Sequence, residues 1–281
     1  MKIIDLNVVK EKVKQMCIEA NIYASKEVED SIKEWLDKED SSLGQYVLKQ
    51  ILDSYKISGD ESMPVCQDTG TSVFMVTIGQ DVRFTGGDLK TVINEAVASG
   101  YKDGYLRGSI VSDPLVSRRN TGDNTPPVIH IDVVKDEELK IAFMAKGSGC
   151  ENMGRLKMLK PSDGVEGVRQ FVYETVQKAG GMPCPPVVIG VGIGSNFEGC
   201  AILAKKALFR NIGELHNDPF YRNLEKELLD GVNRLGIGPG GWGGRFTAIA
   251  VHIETAPCHI ASLPVAVNID CHAHRVREVI F

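Results

Sequence analysis

Apolar residues recur at three- and four-residue spacing through the first part of the chain. Val9, Val13, Met16, Cys17 and Ala20 form one stripe, and Val28, Ile32, Trp35 and Leu36 form a second. That spacing places each set on one face of a helix. Ser42 with Gln45 reads as a capping box that opens a third helix through Val47, Ile51 and Leu52. The pattern therefore predicts a helical front end over about residues 1–58. From Thr71 the period changes to short apolar runs, which predict strands at 73–78, 127–134, 139–145, 187–191, 247–253 and 264–269. Helical stripes fall between them at 89–97, 165–176, 197–209 and 220–235. The fold class expected is α/β (mixed α+β), a helical N-terminal segment followed by mixed strands and helices in one compact unit. No internal repeat, low-complexity tract or long Pro/Ser/Gly linker interrupts the chain, so residues 1–281 read as one domain.

Composition narrows the function classes. With 43% hydrophobic residues the chain can bury a core of ordinary size. A net charge of −5 and no Lys/Arg stripe with interleaved aromatics argue against nucleic acid as a partner. No apolar run approaches the ~18 residues of a membrane span. The opening Met1-Lys2-Ile3-Ile4-Asp5 meets acidic residues too early for a secretory signal, so no membrane association and a cytoplasmic location are expected. The seven cysteines are an odd number and scattered, unlike a secreted disulfide scaffold. Buried or metal-binding thiols in a reducing compartment fit better.

Three cysteine segments could carry chemistry. Pro64-Val65-Cys66-Gln67-Asp68-Thr69-Gly70 crowds a thiol, an amide, a carboxylate and a hydroxyl before a strand; taken alone, it reads first as a turn following a packed Cys. Gly180 to Pro186 holds Cys184 between prolines, which suits a stiff metal ligand and equally a proline-rich loop. Asp270-Cys271-His272-Ala273-His274 has the residue types of a zinc site but no C-x-x-C or H-x-x-x-H companion. Cys17 and Cys200 fall on apolar helical faces and read as core, whereas Cys150 and Cys258 could lie near a site without being ligands.

Glycine makes up about a tenth of the chain, 29 residues, and gathers at 146–149, 180–181, 190–199 and 236–244, where backbone could approach a ligand or adopt positive φ. Gly236-Ile237-Gly238-Pro239-Gly240-Gly241 matches G-x-G-x-x-G literally, but it follows a helix and precedes a strand, the reverse of a dinucleotide fingerprint. The 192–199 segment reads instead as a helix N-terminus whose N–H groups could face an anion.

Five segments in order resemble the class I, iron–sulfur-dependent fumarases and the related L-tartrate dehydratases, specifically the α subunit of the two-subunit forms. They are Cys66-Gln67-Asp68-Thr69-Gly70, the run Lys146 to Met153, Cys184-Pro185-Pro186, Gly190 to Gly194, and Cys258 to Ala266 leading to Cys271. The resemblance covers nearly the whole chain. It implies a [4Fe–4S] cluster held by Cys66, Cys184 and Cys271, with one iron left open as a Lewis acid. It also implies substrate contacts from Gln67, Asp68, Arg107, Gly149 and His259, with Asp68 and His259 in the chemistry, Arg107 as a bidentate carboxylate clamp and Arg118 or Arg119 as its rivals. Cys150 stands where the family pattern has serine.

The implied activity is reversible hydration of fumarate to malate; the alternative is dehydration of L-tartrate. Because the chain ends soon after Cys271, whereas single-chain members continue into a second domain, a β subunit is the implied partner, in a heterodimer or heterotetramer, with a small dicarboxylate as substrate. From other classes, an electron-transfer or sensing protein would want every iron protein-ligated, and a metal-free binding module would be colourless.

Overall fold

The structure, a computed structural model, describes residues 1–281. In chain order it contains β1 (Lys2–Asp5), α1 (Leu6–Ile22), α2 (Lys26–Leu36) and α3 (Ser42–Glu61). Next come β2 (Thr71–Gly79), β3 (Val82–Thr85), α4 (Leu89–Asp103), β4 (Val128–Val134) and β5 (Leu139–Lys146). They are followed by α5 (Ser148–Glu151), β6 (Arg155–Leu159), α6 (Gly164–Ala179), β7 (Val187–Ser195), α7 (Phe197–Ala207) and α8 (Pro219–Asn233). The chain closes with β8 (Ala248–Cys258), β9 (Leu263–Asp270) and β10 (Val276–Ile280). The mixed α/β class and helical front end are as the pattern predicts, and no helix is long and apolar enough to cross a membrane. Two compact units emerge: one of Met1–Ala24, Tyr55–Ser148 and Arg275–Phe281, the other of Ser25–Ser54 and Gly149–His274.

In the first unit a four-stranded sheet runs β10-β5-β2-β4, with β2 parallel to β4 and antiparallel to β5. The α1 stripe Leu6, Val9, Val13, Met16, Cys17 and Ala20 packs with Leu89, Val92, Ile93, Ala96 and Val97 of α4 against Phe74, Val76, Ile141 and Phe143 of the sheet. Each such Val, Leu, Ile, Met or Phe side chain, fully buried, contributes ~1.5–3 kcal/mol. Asp5 starts α1 by accepting from Asn7 N–H at 2.9 Å.

In the second unit the sheet runs β6-β9-β7-β8, and β7 is buried along almost its whole length. Ile189, Val191 and Ile193 face a core built from Val168, Phe171 and Val172 of α6 and Leu224, Leu228 and Val232 of α8. The alternate positions, Gly190 and Gly192, face α7: a Cβ on Gly190 would meet Ala204 O at 2.1 Å, and one on Gly192 would meet Cys200 O at 2.1 Å. These glycines let the helix backbone lie directly on the strand, so Gly190 and Gly192 serve helix–sheet packing, while Gly194 takes the positive φ expected of the cluster, +92. Asn196 caps α7 by accepting from Gly199 N–H, which uses one of the donors expected to face an anion.

One local expectation is corrected, the cap of α3, while the positive φ expected in the 236–244 cluster is found at Gly236, Gly238, Gly240, Gly241, Gly243 and Gly244. The cap of α3 is Ser41, whose Oγ accepts from Gly44 N–H at 3.1 Å, rather than Ser42, while the Gln45 side chain turns back to Glu39 O at 2.7 Å. The glycines at 236–244 form a loop before β8 that is fastened by the buried Glu39. Its carboxylate accepts from the N–H groups of Ser41, Arg245 and Phe246 at 3.0, 2.8 and 2.9 Å, and Trp35 stacks on Phe246 with centroids 4.6 Å apart.

Gly192→Ala should lower stability by ~3 kcal/mol or more, because overpacking against backbone cannot relax by a rotamer change. Gly59→Ala, whose new Cβ meets only Tyr23 at 3.6 Å, should not. Denaturant unfolding of both variants checks this. His252 on β8 is 3% exposed and its Nδ1 has no hydrogen-bond partner. Burial first, then the nearby Arg210 and His274, drive its pKa down to about 3. The folded chain therefore keeps it neutral while the unfolded chain takes up a proton near pH 6.5. The stability this neutral ring supplies is complete above that pH and drains away as pH falls toward 3, by roughly 1.4 kcal/mol per unit. His252→Gln should flatten the fall in unfolding free energy between pH 6.5 and 4; an unchanged slope would refute the assignment.

Candidate active site

In the first unit the segment carrying Cys66, Gln67 and Asp68 is a loop entering β2, and hydrogen bonds fix it at both ends. Val65 N–H donates to Asn21 O of α1 at 2.9 Å. The buried guanidinium of Arg275 donates to Asp68 O at 2.6 Å and to Asn21 Oδ1 at 2.9 Å. Gly70 has φ +76, and a Cβ there would meet Lys146 N at 2.7 Å, so only glycine fits where the loop passes β5. The carbonyl of Gly70 accepts from Asn124 Nδ2 at 3.0 Å, and that of Thr69 accepts from Tyr101 Oη at 2.6 Å. Burial pushes the Tyr101 hydroxyl well above its usual range, so it serves as a neutral donor.

Those bonds leave Cys66 and Gln67 exposed on a rigid loop and give Asp68 a defined carboxylate. One of its oxygens accepts from Gly70 N–H at 3.0 Å, the other from Ser148 N–H at 2.8 Å. The same loop positions Arg107: Thr69 Oγ1 donates to Arg107 O at 2.9 Å, and the Arg107 side chain is exposed. Of its rivals, Arg118 folds onto its own loop, donating to Pro114 O at 2.5 Å, and Arg119 is exposed without a comparable tie to the Asp68 loop.

In the second unit Cys184 has φ +54 between two prolines. A non-glycine residue holds that left-handed conformation only where its surroundings impose it, at a cost of order 1–3 kcal/mol. Its N–H donates to Gly181 O at 3.1 Å, and its carbonyl accepts from His272 N–H at 3.4 Å, which ties the loop to the turn bearing Cys271. That turn is closed by His274 N–H to Cys271 O at 3.1 Å and by the His274 Nδ1 to Asp270 Oδ2 contact at 3.1 Å. Gly149 is exposed in the short helix α5, where a Cβ would sit 3.5 Å from Met182 O, beside the Cys184 loop.

None of the seven cysteines is in a disulfide. Cys66 and Cys184 are exposed and Cys271 is partly exposed, whereas Cys17, Cys150 and Cys200 are buried. Burial pushes the thiols of Cys17 and Cys200 up, as expected of inert core residues. Cys150 donates to Pro183 O at 3.5 Å, and its sulfur, that of Cys271 and a carboxylate oxygen of Asp270 all lie within 4.8 Å of one another. Sequence reasoning missed this grouping, because its members come from different elements. It also missed Arg275, Asn21, Tyr101 and Asn124, whose only signal was a polar residue beside an apolar stripe.

His259 lies at the opposite end of β9 from Cys271. It precedes the first residue of β9 and Cys271 follows the last, so the eight-residue strand separates them by roughly 23 Å. His259 instead lines a cavity of about 370 Å³ with Phe220, Tyr221, Cys258, Ile260 and Leu263. Its Nδ1 accepts from Ala261 N–H at 3.1 Å, which leaves the proton of the neutral ring on Nε2.

The family model described as "Fumarate hydratase (Fumerase)" matches residues 10–280. A chain from Methanocaldococcus jannaschii, provisionally described as an L(+)-tartrate dehydratase subunit alpha, is 44% identical over 263 residues, covering 92% of each chain. The L(+)-tartrate dehydratase subunit alpha of Escherichia coli K12 is 37% identical over 251 residues, 89% of this chain and 82% of the relative. The match spans the Asp68 loop and both cysteine turns of the second unit, and the chain belongs to the fumarate hydratase (fumerase) family of hydro-lyases.

Proposed function

We propose that residues 1–281 form one catalytic domain, the α subunit of an iron–sulfur hydro-lyase that adds water to fumarate to give malate and runs the reverse reaction. The observation that carries this reading is the strained, exposed Cys184 tied through His272 N–H to the Cys271 turn. A packed core cysteine needs neither exposure nor imposed φ; a metal ligand that must not wander benefits from both. The donor set also suits the group: Cys66, Cys184 and Cys271 are accessible thiols on fastened backbone, outside any disulfide. They would hold a [4Fe–4S] cluster. Bound there, a cluster with three protein thiolates supplies an iron open to substrate oxygens as a Lewis acid.

The chain's own residues account for the remaining demands. Dehydrating malate means removing a weakly acidic proton beside a carboxylate while hydroxide departs. The guanidinium of Arg107 clamps one substrate carboxylate bidentately. The Gln67 amide and the N–H groups near Gly149 donate to oxygens on which charge builds. Asp68 is the acid/base partner: its two oxygens are held by Gly70 and Ser148 N–H groups, so the carboxylate is oriented before substrate arrives. His259 lies at the opposite end of β9 from Cys271, and no step is assigned to it.

The subunit alpha in the relatives' names supports a β-subunit partner, in a heterodimer or heterotetramer. The same names favour a second reading, dehydration of L-tartrate to oxaloacetate. Both reactions need the same clamp and base, and they differ in how one extra hydroxyl is accommodated. A cytoplasmic setting suits exposed thiols kept reduced.

Cys184→Ser should lose bound iron, sulfide and turnover together in the anaerobically reconstituted αβ complex; full activity with intact iron content would refute the ligand assignment. Side-by-side turnover of malate and L-tartrate by the same complex decides the substrate. Malate as the faster substrate is the expected result, and tartrate turnover alone would replace it with the second reading.

A further inference from the structure

Cys150 and Asp270, both buried, have no part in the mechanism above, yet their donor atoms are already gathered with that of the partly exposed Cys271. Two thiol sulfurs and a carboxylate oxygen lie within 4.8 Å of one another. Two thiolates bound tetrahedrally to one ion at about 2.3 Å stand about 3.8 Å apart, so sulfurs up to 4.8 Å apart need close by about 1 Å at most to share a single cation. The surroundings are those of a built site. Cys150 is buried in a helical turn against Pro183 O, and Asp270 is 1% exposed. The Asp270 carboxylate is oriented by the His274 Nδ1 contact to its Oδ2 at 3.1 Å, an outer contact of the kind that metal-binding carboxylates commonly have. A buried carboxylate beside two soft sulfur donors selects a thiophilic divalent ion over Mg²⁺ or Ca²⁺.

We propose that Cys150, Asp270 and Cys271 form a single-ion site for a thiophilic divalent cation, Zn²⁺ or Fe²⁺, with a water in the fourth position. Binding converts two thiols to thiolates and releases their two protons, with no change in oxidation state. The site differs from the cluster site in its ligands, sharing only Cys271. Its consequence, though not its existence, rests on the functional reading: an ion held through Cys271 occupies a thiolate the cluster needs. Cys150 would then make this chain's cluster assembly sensitive to zinc.

The test uses the full-length chain, purified anaerobically without cluster, and Co²⁺ as the probe. One equivalent should give thiolate-to-cobalt charge-transfer absorption, and one equivalent of Zn²⁺ should abolish it. Cys150→Ser and Asp270→Asn should each weaken Co²⁺ binding at least tenfold, while Cys66→Ser, which removes a proposed cluster ligand and none of these three, should bind Co²⁺ as the parent does. Absence of the charge-transfer band, or equal binding by the parent and Cys150→Ser, would overturn the site. One equivalent of Zn²⁺ present during reconstitution should lower cluster yield in the parent but not in Cys150→Ser, and equal yields would overturn the competition. A chain that binds Co²⁺ in this way but never takes up cluster would refute the functional reading and leave the single-ion site standing.

Discussion

The backbone of Cys184 is forced into the left-handed region and stitched to the turn after β9, and the chemistry of the second unit depends on that constraint. A thiol on a loop free to relax would swing through several ångströms. Here the Gly181 carbonyl holds the loop from one side and the His272 N–H from the other, while Pro183 and Pro185 limit the torsions between. The strain is supported by the sheet behind it. Strand β7 leaves the Cys184 loop directly into the most deeply buried part of the unit, and its glycines admit α7 at backbone distance.

The first unit solves the same problem differently. Cys66, Gln67 and Asp68 stand on a loop with ordinary conformational freedom until Arg275, Tyr101 and Asn124 donate to its carbonyls and the Asn21 carbonyl accepts from its Val65 N–H. These are buried polar groups whose hydrogen bonds are met within the chain, the arrangement that gives rigidity. Arg275 reaches Asp68 because β10 pairs with β5, so the edge strand at the C-terminus of the chain fixes the orientation of the proposed acid/base.

Much of this was legible in the sequence, for reasons that can be named. The amphipathic stripes of α1, α4, α6 and α8 are long and bury one face, and the predicted strands β2, β4, β5, β7, β8 and β9 are apolar runs, so periodicity found them within a few residues. Strands β1, β3, β6 and β10 were missed because they are short and carry charges, as in Arg155-Leu156-Lys157-Met158-Leu159 and Val276-Arg277-Glu278-Val279-Ile280, and their strand character comes from distant partners. The glycines of β7 were read as marking a ligand or a positive φ; Gly194 has φ +92, but spacing alone does not reveal that a helix lies on Gly190 and Gly192. The cysteine segments were legible as motifs. The closeness of Cys150 to Asp270 and Cys271, and the length of β9 between His259 and Cys271, are tertiary facts that no local pattern encodes.

The central claim is that this chain presents three thiolates to a cluster whose remaining iron meets the substrate. Mössbauer spectroscopy on the αβ complex reconstituted with isotopically enriched iron tests it most directly. One iron subsite, and only one, should change its isomer shift and quadrupole splitting when malate or L-tartrate is added. A spectrum in which every iron is indifferent to both acids would contradict the account.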